Sequence, residues 1–148
     1  MRGSAFEEID HTADTGLRIT APNLRELFIT GARGMFTLIM PEPDSRAEDA
    51  VRHGKKEERR VSLSSADRET LLRDWLAELL YLHTTDRLYF TDFTLDTVRE
   101  TRLQGTARGI PLSEDFIHSL MDIKAVTYHG LEIRETDEGF VAQVIFDI

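Results

Sequence analysis

Three aspartates and the chain terminus are the residues of this sequence whose types and positions most clearly indicate a chemistry. Asp10 and Asp14 lie four residues apart in a polar stretch, Asp147 is the penultimate residue, and Ile148 carries the terminal carboxylate. Carboxylates from both ends of the chain could converge on a hard divalent cation, because calcium and magnesium prefer oxygen ligands. The alternative is that these aspartates are solvated residues at strand ends, since aspartate is seldom buried. The spacing by itself leaves both interpretations open.

The five histidines do not form a pattern that is typical of a zinc site or a catalytic triad. No two of them are four residues apart, and the chain has no cysteine, so the usual zinc-ligand patterns are missing. His83 is expected at the surface near the end of a helix, where a cation is favoured by the helix dipole. His129 falls in a mostly apolar row, which is more typical of a hydrogen-bonded core histidine than of a catalyst. No glycine-rich phosphate loop and no G-x-S-x-G motif occurs.

Two helices have clear start signals. Asn23 with Glu26 three residues later resembles a capping box, and a wide apolar stripe follows as far as Pro41, which ends the helix. Asp67 opens a second helix rich in leucine. This second helix is expected to be the central helix of the core.

Alternating apolar residues predict the strands. The stretch Ile123–Ile133 alternates over its whole length, and we interpret it as one strand with a buried face. The turn Thr136–Gly139 then connects to a last strand with Phe140, Val144 and Phe146 on one face. Further strands are expected at 6–9, 17–21, 61–63, 88–98 and 102–108.

This order predicts an α+β fold, a single domain over residues 1–148 with two helices packed on one face of a largely antiparallel sheet. Residues 42–60 are rich in charge of both signs and are expected to form a polar loop insertion. No apolar run reaches the about 20 residues that cross a membrane, and we expect a cytoplasmic protein without membrane association.

The net charge of −9 over 148 residues argues against strong direct binding of nucleic acid, because phosphate-backbone binding needs clustered lysine and arginine. If this protein serves nucleic-acid metabolism, we expect it to act through a protein partner. An acidic surface also attracts divalent cations.

Three stretches together resemble the archease family: Asp10–Gly16 (DHTADTG), Ile123–Leu131 (IKAVTYHGL) and the terminal Val144–Ile148 (VIFDI). The order of elements between them is also similar, so the resemblance covers nearly the whole chain. One departure is Gly130, which stands where the family often has an aspartate.

The resemblance implies an accessory protein of the tRNA-splicing ligase RtcB, not an enzyme. Such proteins promote guanylylation of the ligase and its multiple turnover in tRNA splicing and RNA repair. It also implies a divalent cation, calcium before magnesium or manganese, bound by Asp14, Asp147 and Ile148. Asp10 is a further candidate ligand, and His11 and His129 are candidates to orient the carboxylates through hydrogen bonds.

Two other functions stay open at this point. The same site could serve a stand-alone metal-dependent hydrolase, in which a metal-bound water attacks the substrate. Alternatively, the protein could be a chaperone-like adaptor for RNA-processing proteins, with a metal that is only structural.

Overall fold

Eight strands and four helices make up the part of the chain that the computed structural model describes, residues 3–11, 14–41 and 45–148. In chain order they are β1 Ala5–His11, β2 Asp14–Ala21, α1 Leu24–Ile39, α2 Ser45–His53, β3 Glu57–Ser64, α3 Arg68–Asp86, β4 Leu88–Val98, β5 Arg102–Pro111, α4 Glu114–His118, β6 Ala125–Val126, β7 Glu132–Thr136 and β8 Gly139–Asp147. None of the described helices is long and apolar enough to cross a membrane.

The strands form two antiparallel sheets. One follows the order β1-β2-β8-β6, with β7 also paired to β8, and the other has the order β3-β5-β4. One hydrophobic core joins residues of both sheets to α1 and α3. The predicted α+β fold with antiparallel strands is therefore confirmed, although the strands are divided between two sheets and two short helices are added.

Helix α1 begins as its sequence predicts and packs closely on β2. The Asn23 side chain accepts a hydrogen bond of 2.9 Å from the backbone N–H of Glu26. A Cβ atom at Gly34 would lie only 2.9 Å from Cδ1 of Leu17. The glycine thus allows helix and sheet to approach more closely than a larger residue would.

Helix α3 shares the main hydrophobic core with α1, and no feature of the packing among the described residues makes it more central than α1. Asp67 caps it by accepting a hydrogen bond of 2.8 Å from the N–H of Thr70, and this bond holds the pKa of Asp67 below its ordinary value. Trp75 is fully buried, and its Nε1–H donates to the carbonyl of Phe28 at 3.0 Å. This bond ties α3 to α1 and satisfies the indole N–H, which would be costly to bury alone.

The prediction of a polar loop over residues 42–60 is wrong for the described part, residues 45–60. This part contains α2 and the start of β3. Ala47 on α2 is buried with Met40 and Phe116 in a small separate cluster. Arg59 of β3 is partly buried and pairs with Asp86 at 2.9 Å, whereas Glu58 and Arg60 lie on the opposite, exposed face. Pairing with β5 thus orders this strongly charged stretch as a regular strand, and the ion pair with Asp86 adds a contact to it.

The prediction of one strand over Ile123–Ile133 is also wrong. Only β6 and the start of β7 are strands, and residues 129–130 form a turn between them. Both strands pair with β8: Ala125 lies opposite Asp147, and Glu132 lies opposite Gln143. If β6 and β7 were one continuous strand, the register of Ala125 opposite Asp147 would place His129 opposite Gln143. Glu132 lies there instead, so three additional residues lie between the two paired segments. Gly130 makes this turn with φ +62, a left-handed conformation that favours glycine.

Candidate functional site

The two aspartates singled out at opposite ends of the chain meet in the five-stranded sheet. Strands β2 and β8 pair so that Asp14 lies directly opposite Asp147. Directly opposite residues of an antiparallel pair place their side chains on the same face, with Cβ atoms about 5 Å apart. The strand register therefore makes these carboxylates neighbours, although the sequence separates them by almost its full length.

The same row continues across the sheet. His11 on β1 is the partner of Asp14, and Ala125 on β6 is the partner of Asp147. The terminal residue Ile148 follows at once and is 41% exposed. The backbone N–H of Lys124 donates to the carbonyl of Asp147 at 2.7 Å, which fixes the end of the chain.

Asp10 occupies a different row. It lies opposite Thr15, whose partner on β8 is the fully buried Phe146. The register therefore places the backbone of Asp10 one position away from the row that contains Asp14 and Asp147. The stretch Asp10–Gly16 is also not one polar loop, since Asp10 lies within β1 and Asp14 begins β2, and only Thr12 and Ala13 fall outside the described residues.

His129 is not a core residue, contrary to the interpretation from alternation. It is exposed in the turn before β7. This turn is held on β8, because the backbone N–H and the Oγ1 of Thr127 both donate to the carbonyl of Ile145, at 3.0 and 2.9 Å. In addition, the side-chain amide of Gln143 donates to the carbonyl of Gly130 at 3.0 Å. Hydrogen bonds to the strand that carries Asp147 thus fix this histidine-containing turn.

Arg73 on α3 is a positioning residue that the sequence analysis missed. Its Nε donates to the carbonyl of Val126 at 2.9 Å, and its guanidinium lies 4.7 Å from the centre of the Tyr128 ring. The arginine therefore holds residues 126–128 from the side of α3, while β8 holds them from the other side. No local signal could have indicated this role, because the arginine and its partners are far apart in the chain.

The chemistry of this region is that of oxygen donors. Two carboxylates and a chain terminus suit a hard cation better than they suit zinc. Among the described residues, no group of three or more histidine, aspartate or glutamate side chains is placed to hold a metal ion. Any cation here would rely on the terminal carboxylate, backbone carbonyls or water beside the two aspartates.

Comparison with known proteins identifies the family of this fold. Residues 6–148 match the model of the Archease protein family. The chain belongs to the archease family. It is 36% identical to the protein archease of Methanosarcina barkeri, over 99% of this chain and 98% of that one. It is 38% identical to the archease of Methanothermobacter thermautotrophicus, over the whole of both chains.

Two solved structures resemble this archease. The solution structure of protein 1598 of Methanobacterium thermoautotrophicum superposes with a TM-score of 0.70 at 34% identity, covering 97% of this chain and 98% of that one. The crystal structure of an archease from Thermotoga maritima, described as a possible chaperone, has a TM-score of 0.61 at 21% identity and covers 100% of this chain and 98% of its own. At 21% identity, the similarity to the Thermotoga maritima structure supports the fold alone. The resemblance drawn from the three sequence stretches is thereby confirmed.

Proposed function

We propose that this protein is an accessory protein of an RtcB-type tRNA-splicing ligase, which it activates by promoting guanylylation and multiple turnover. The observation that carries the proposal is the row in which Asp14 lies opposite Asp147 beside the chain terminus. All three stretches that resemble archeases contribute to this region: the first contains the end of β1 and the start of β2, the last contains the end of β8, and the middle one pairs with β8. The residues of the family resemblance thus gather in one place.

We further propose that Asp14, Asp147 and the terminal carboxylate of Ile148 hold a divalent cation, calcium before magnesium or manganese. Their donor atoms are all oxygens, which fits such a cation. A bound cation would supply positive charge near phosphate groups, and phosphoryl transfer depends largely on positioning and charge neutralisation. Arg73 and the hydrogen bonds from Thr127 would keep the segment beside Asp147 in place.

The partner of this surface is expected to be a protein and not RNA. The net charge of −9 opposes contact with a phosphate backbone. Near the site, Tyr128 is 61% exposed and Ile148 is 41% exposed. Aromatic and aliphatic side chains of this kind supply much of the contact energy at protein interfaces. The same proposal places the protein in the cytoplasm.

A chaperone-like adaptor is the second candidate function, because a related structure is described as a possible chaperone. In that case a cation held by the paired aspartates would only stabilise the end of the sheet. The two candidates differ in whether the carboxylates are needed for ligase activation.

Multiple-turnover RNA ligation tests the proposal. An RtcB-type ligase is supplied with GTP, metal, RNA ends that carry a cyclic phosphate and RNA ends that carry a hydroxyl, with and without this protein. Asp14→Asn and Asp147→Asn remove one carboxylate each, and Asp137→Asn in the β7–β8 turn is the matched control. We expect stimulation by the wild-type and control proteins and its loss in the other two variants, with the ligase–guanylate intermediate measured in parallel.

Each other outcome has a definite meaning. Stimulation that survives both substitutions would favour the adaptor over the metal-organising cofactor. No stimulation by the wild-type protein would refute the ligase function. Phosphoester turnover by this protein without ligase would favour the stand-alone hydrolase.

A further inference from the structure

A cleft of about 620 Å³ lies between the C-terminal part of α3, helix α4 and the segment that leads to β6. Its volume falls within the roughly 300–1,000 Å³ of small-molecule sites. Aliphatic side chains that line it include Leu80, Ile117 and Ile123, and its polar lining includes His83, Glu114 and Asp122. None of these residues belongs to the row of Asp14 and Asp147.

His83 presents a hydrogen-bond acceptor in this cleft. The side chain is only 6% exposed, and its Nδ1 lies 2.7 Å from the carbonyl oxygen of Leu88. A carbonyl oxygen can only accept, so Nδ1 carries the proton and Nε2 keeps its lone pair. Within the described part of the chain, Nε2 forms no hydrogen bond. Burial lowers the pKa of His83, so the ring is neutral at neutral pH.

Among the described residues, the ionised side chains that line the cleft have a net negative charge, because Glu114 and Asp122 are opposed only by Arg87. Asp122 forms no hydrogen bond or salt bridge with any other described residue, although it is close enough to His83 to counteract part of the fall in the pKa of that ring. Glu114 is balanced by Arg87 at 3.6 Å, an exposed pair that contributes little. Thr84 and Thr85 line the cleft at the C-terminal end of α3, where the helix dipole is negative. The unbalanced charge and the free acceptor both favour a cation that donates hydrogen bonds.

We propose that this cleft binds a small aliphatic amine in its ammonium form. The ammonium group would donate to the carboxylate of Asp122 and to Nε2 of His83. The methylene chain would lie against Leu80, Ile117 and Ile123. This inference goes beyond the proposed ligase function, and it does not depend on it, since it uses neither Asp14 nor Asp147.

Binding is tested by adding cadaverine to the full chain at low salt. It is measured from the amide NMR spectra of isotope-labelled protein. We expect saturable shifts at millimolar cadaverine, concentrated in residues 80–87 and 114–123. The diol with the same chain length fills the same volume without the charge, and it is expected to cause no such shifts. Equal shifts with the diol, or cadaverine shifts spread over the whole acidic surface, would overturn the proposal.

A pair of matched variants locates the site. Asp122→Asn is expected to weaken cadaverine binding about tenfold, because it replaces a charge-assisted hydrogen bond with a neutral one. Asp137→Asn removes the same charge from an exposed turn outside the cleft and is expected to leave binding unchanged. Asp122 is exposed, so its substitution is compatible with folding. Equal affinity in the two variants would refute the role of Asp122 and with it the proposed site.

The blocked amino acid N-acetyl-lysine amide distinguishes a free amine from a lysine of a protein partner. If the natural ligand is a free amine, cadaverine is expected to bind at least as tightly as the blocked lysine. Tighter binding of the blocked lysine would place the ammonium group on a partner protein and overturn the small-molecule assignment.

Discussion

Replacing Asp147 with asparagine should change the stability of this protein in opposite directions with and without calcium. Asp147 lies directly opposite Asp14 in the β2–β8 pair. Like charges in directly opposite positions repel. Such a cross-strand pair changes the free energy of unfolding by roughly 0.2–1 kcal/mol, here toward lower stability. In chelator, Asp147→Asn should therefore be more stable than wild type by about 0.5 kcal/mol.

Calcium should reverse this order. A ligand at 100 times its Kd stabilises the folded state by about 2.7 kcal/mol. For a chain of this length, 1 kcal/mol corresponds to about 2–4 °C in Tm. Wild-type protein should therefore gain about 5–10 °C at that calcium concentration by the same relations. Asp147→Asn should gain much less, so the variant becomes the less stable protein.

The assay is thermal unfolding followed by circular dichroism, in chelator and in a calcium titration, with Asp14→Asn as a second test variant. Asp137→Asn is the control for the loss of one negative charge, and it should keep the full calcium shift. An equal calcium shift in Asp147→Asn and wild type would refute the assignment of this carboxylate as a ligand. A fall in stability in chelator would refute the repulsion between the two strands.

Three further outcomes are expected. Thr30→Val should stabilise the protein by about 1 kcal/mol in urea unfolding, because the buried Oγ1 of Thr30 has no hydrogen-bond partner among the described residues; a less stable variant would contradict this explanation. Burial holds the pKa of His83 below its ordinary 6.5, so the unfolded state takes up the proton first and stability should fall as the pH drops below 6.5. His83→Gln should show a shallower fall in unfolding free energy, and a difference from wild type that is the same at every pH would argue against this linkage. Gly34→Ala should destabilise by about 1–3 kcal/mol despite the better helix propensity of alanine, because its Cβ would lie 2.9 Å from Leu17 Cδ1. Gly3→Ala, with nothing within 4 Å, should be neutral in the same chemical denaturation experiment, and equal effects of the two substitutions would refute the close approach of α1 and β2.

The features that the sequence predicted correctly depend on residues close together in the chain. Asn23 and Asp67 cap their helices through backbone groups three residues away. The turn Thr136–Gly139 connects β7 and β8 as expected. Composition, capping and periodicity are sufficient for such elements, because the atoms that interact are neighbours in sequence.

The wrong predictions concern segments whose conformation depends on distant partners. The stretch Ile123–Ile133 alternates like a strand, but it is divided because two parts of it pair with separate sites on β8. His83 was expected at the surface and is instead buried against Phe36. The charged residues before Val61 look like a loop in sequence, but the neighbouring strand β5 orders them as part of β3.

The candidate site shows the same division. Residue types and local periodicity were enough to identify the carboxylates, the α+β class and the family resemblance, because each of these features can be read along the chain. The pairing of Asp14 with Asp147 and the different register position of Asp10 could be known only from the folded protein, because strand register is set by pairing between segments far apart in sequence. The same is true of the contact through which Arg73 holds the segment next to Asp147. The cleft at His83 likewise exists only because α3, α4 and the segment before β6 pack together.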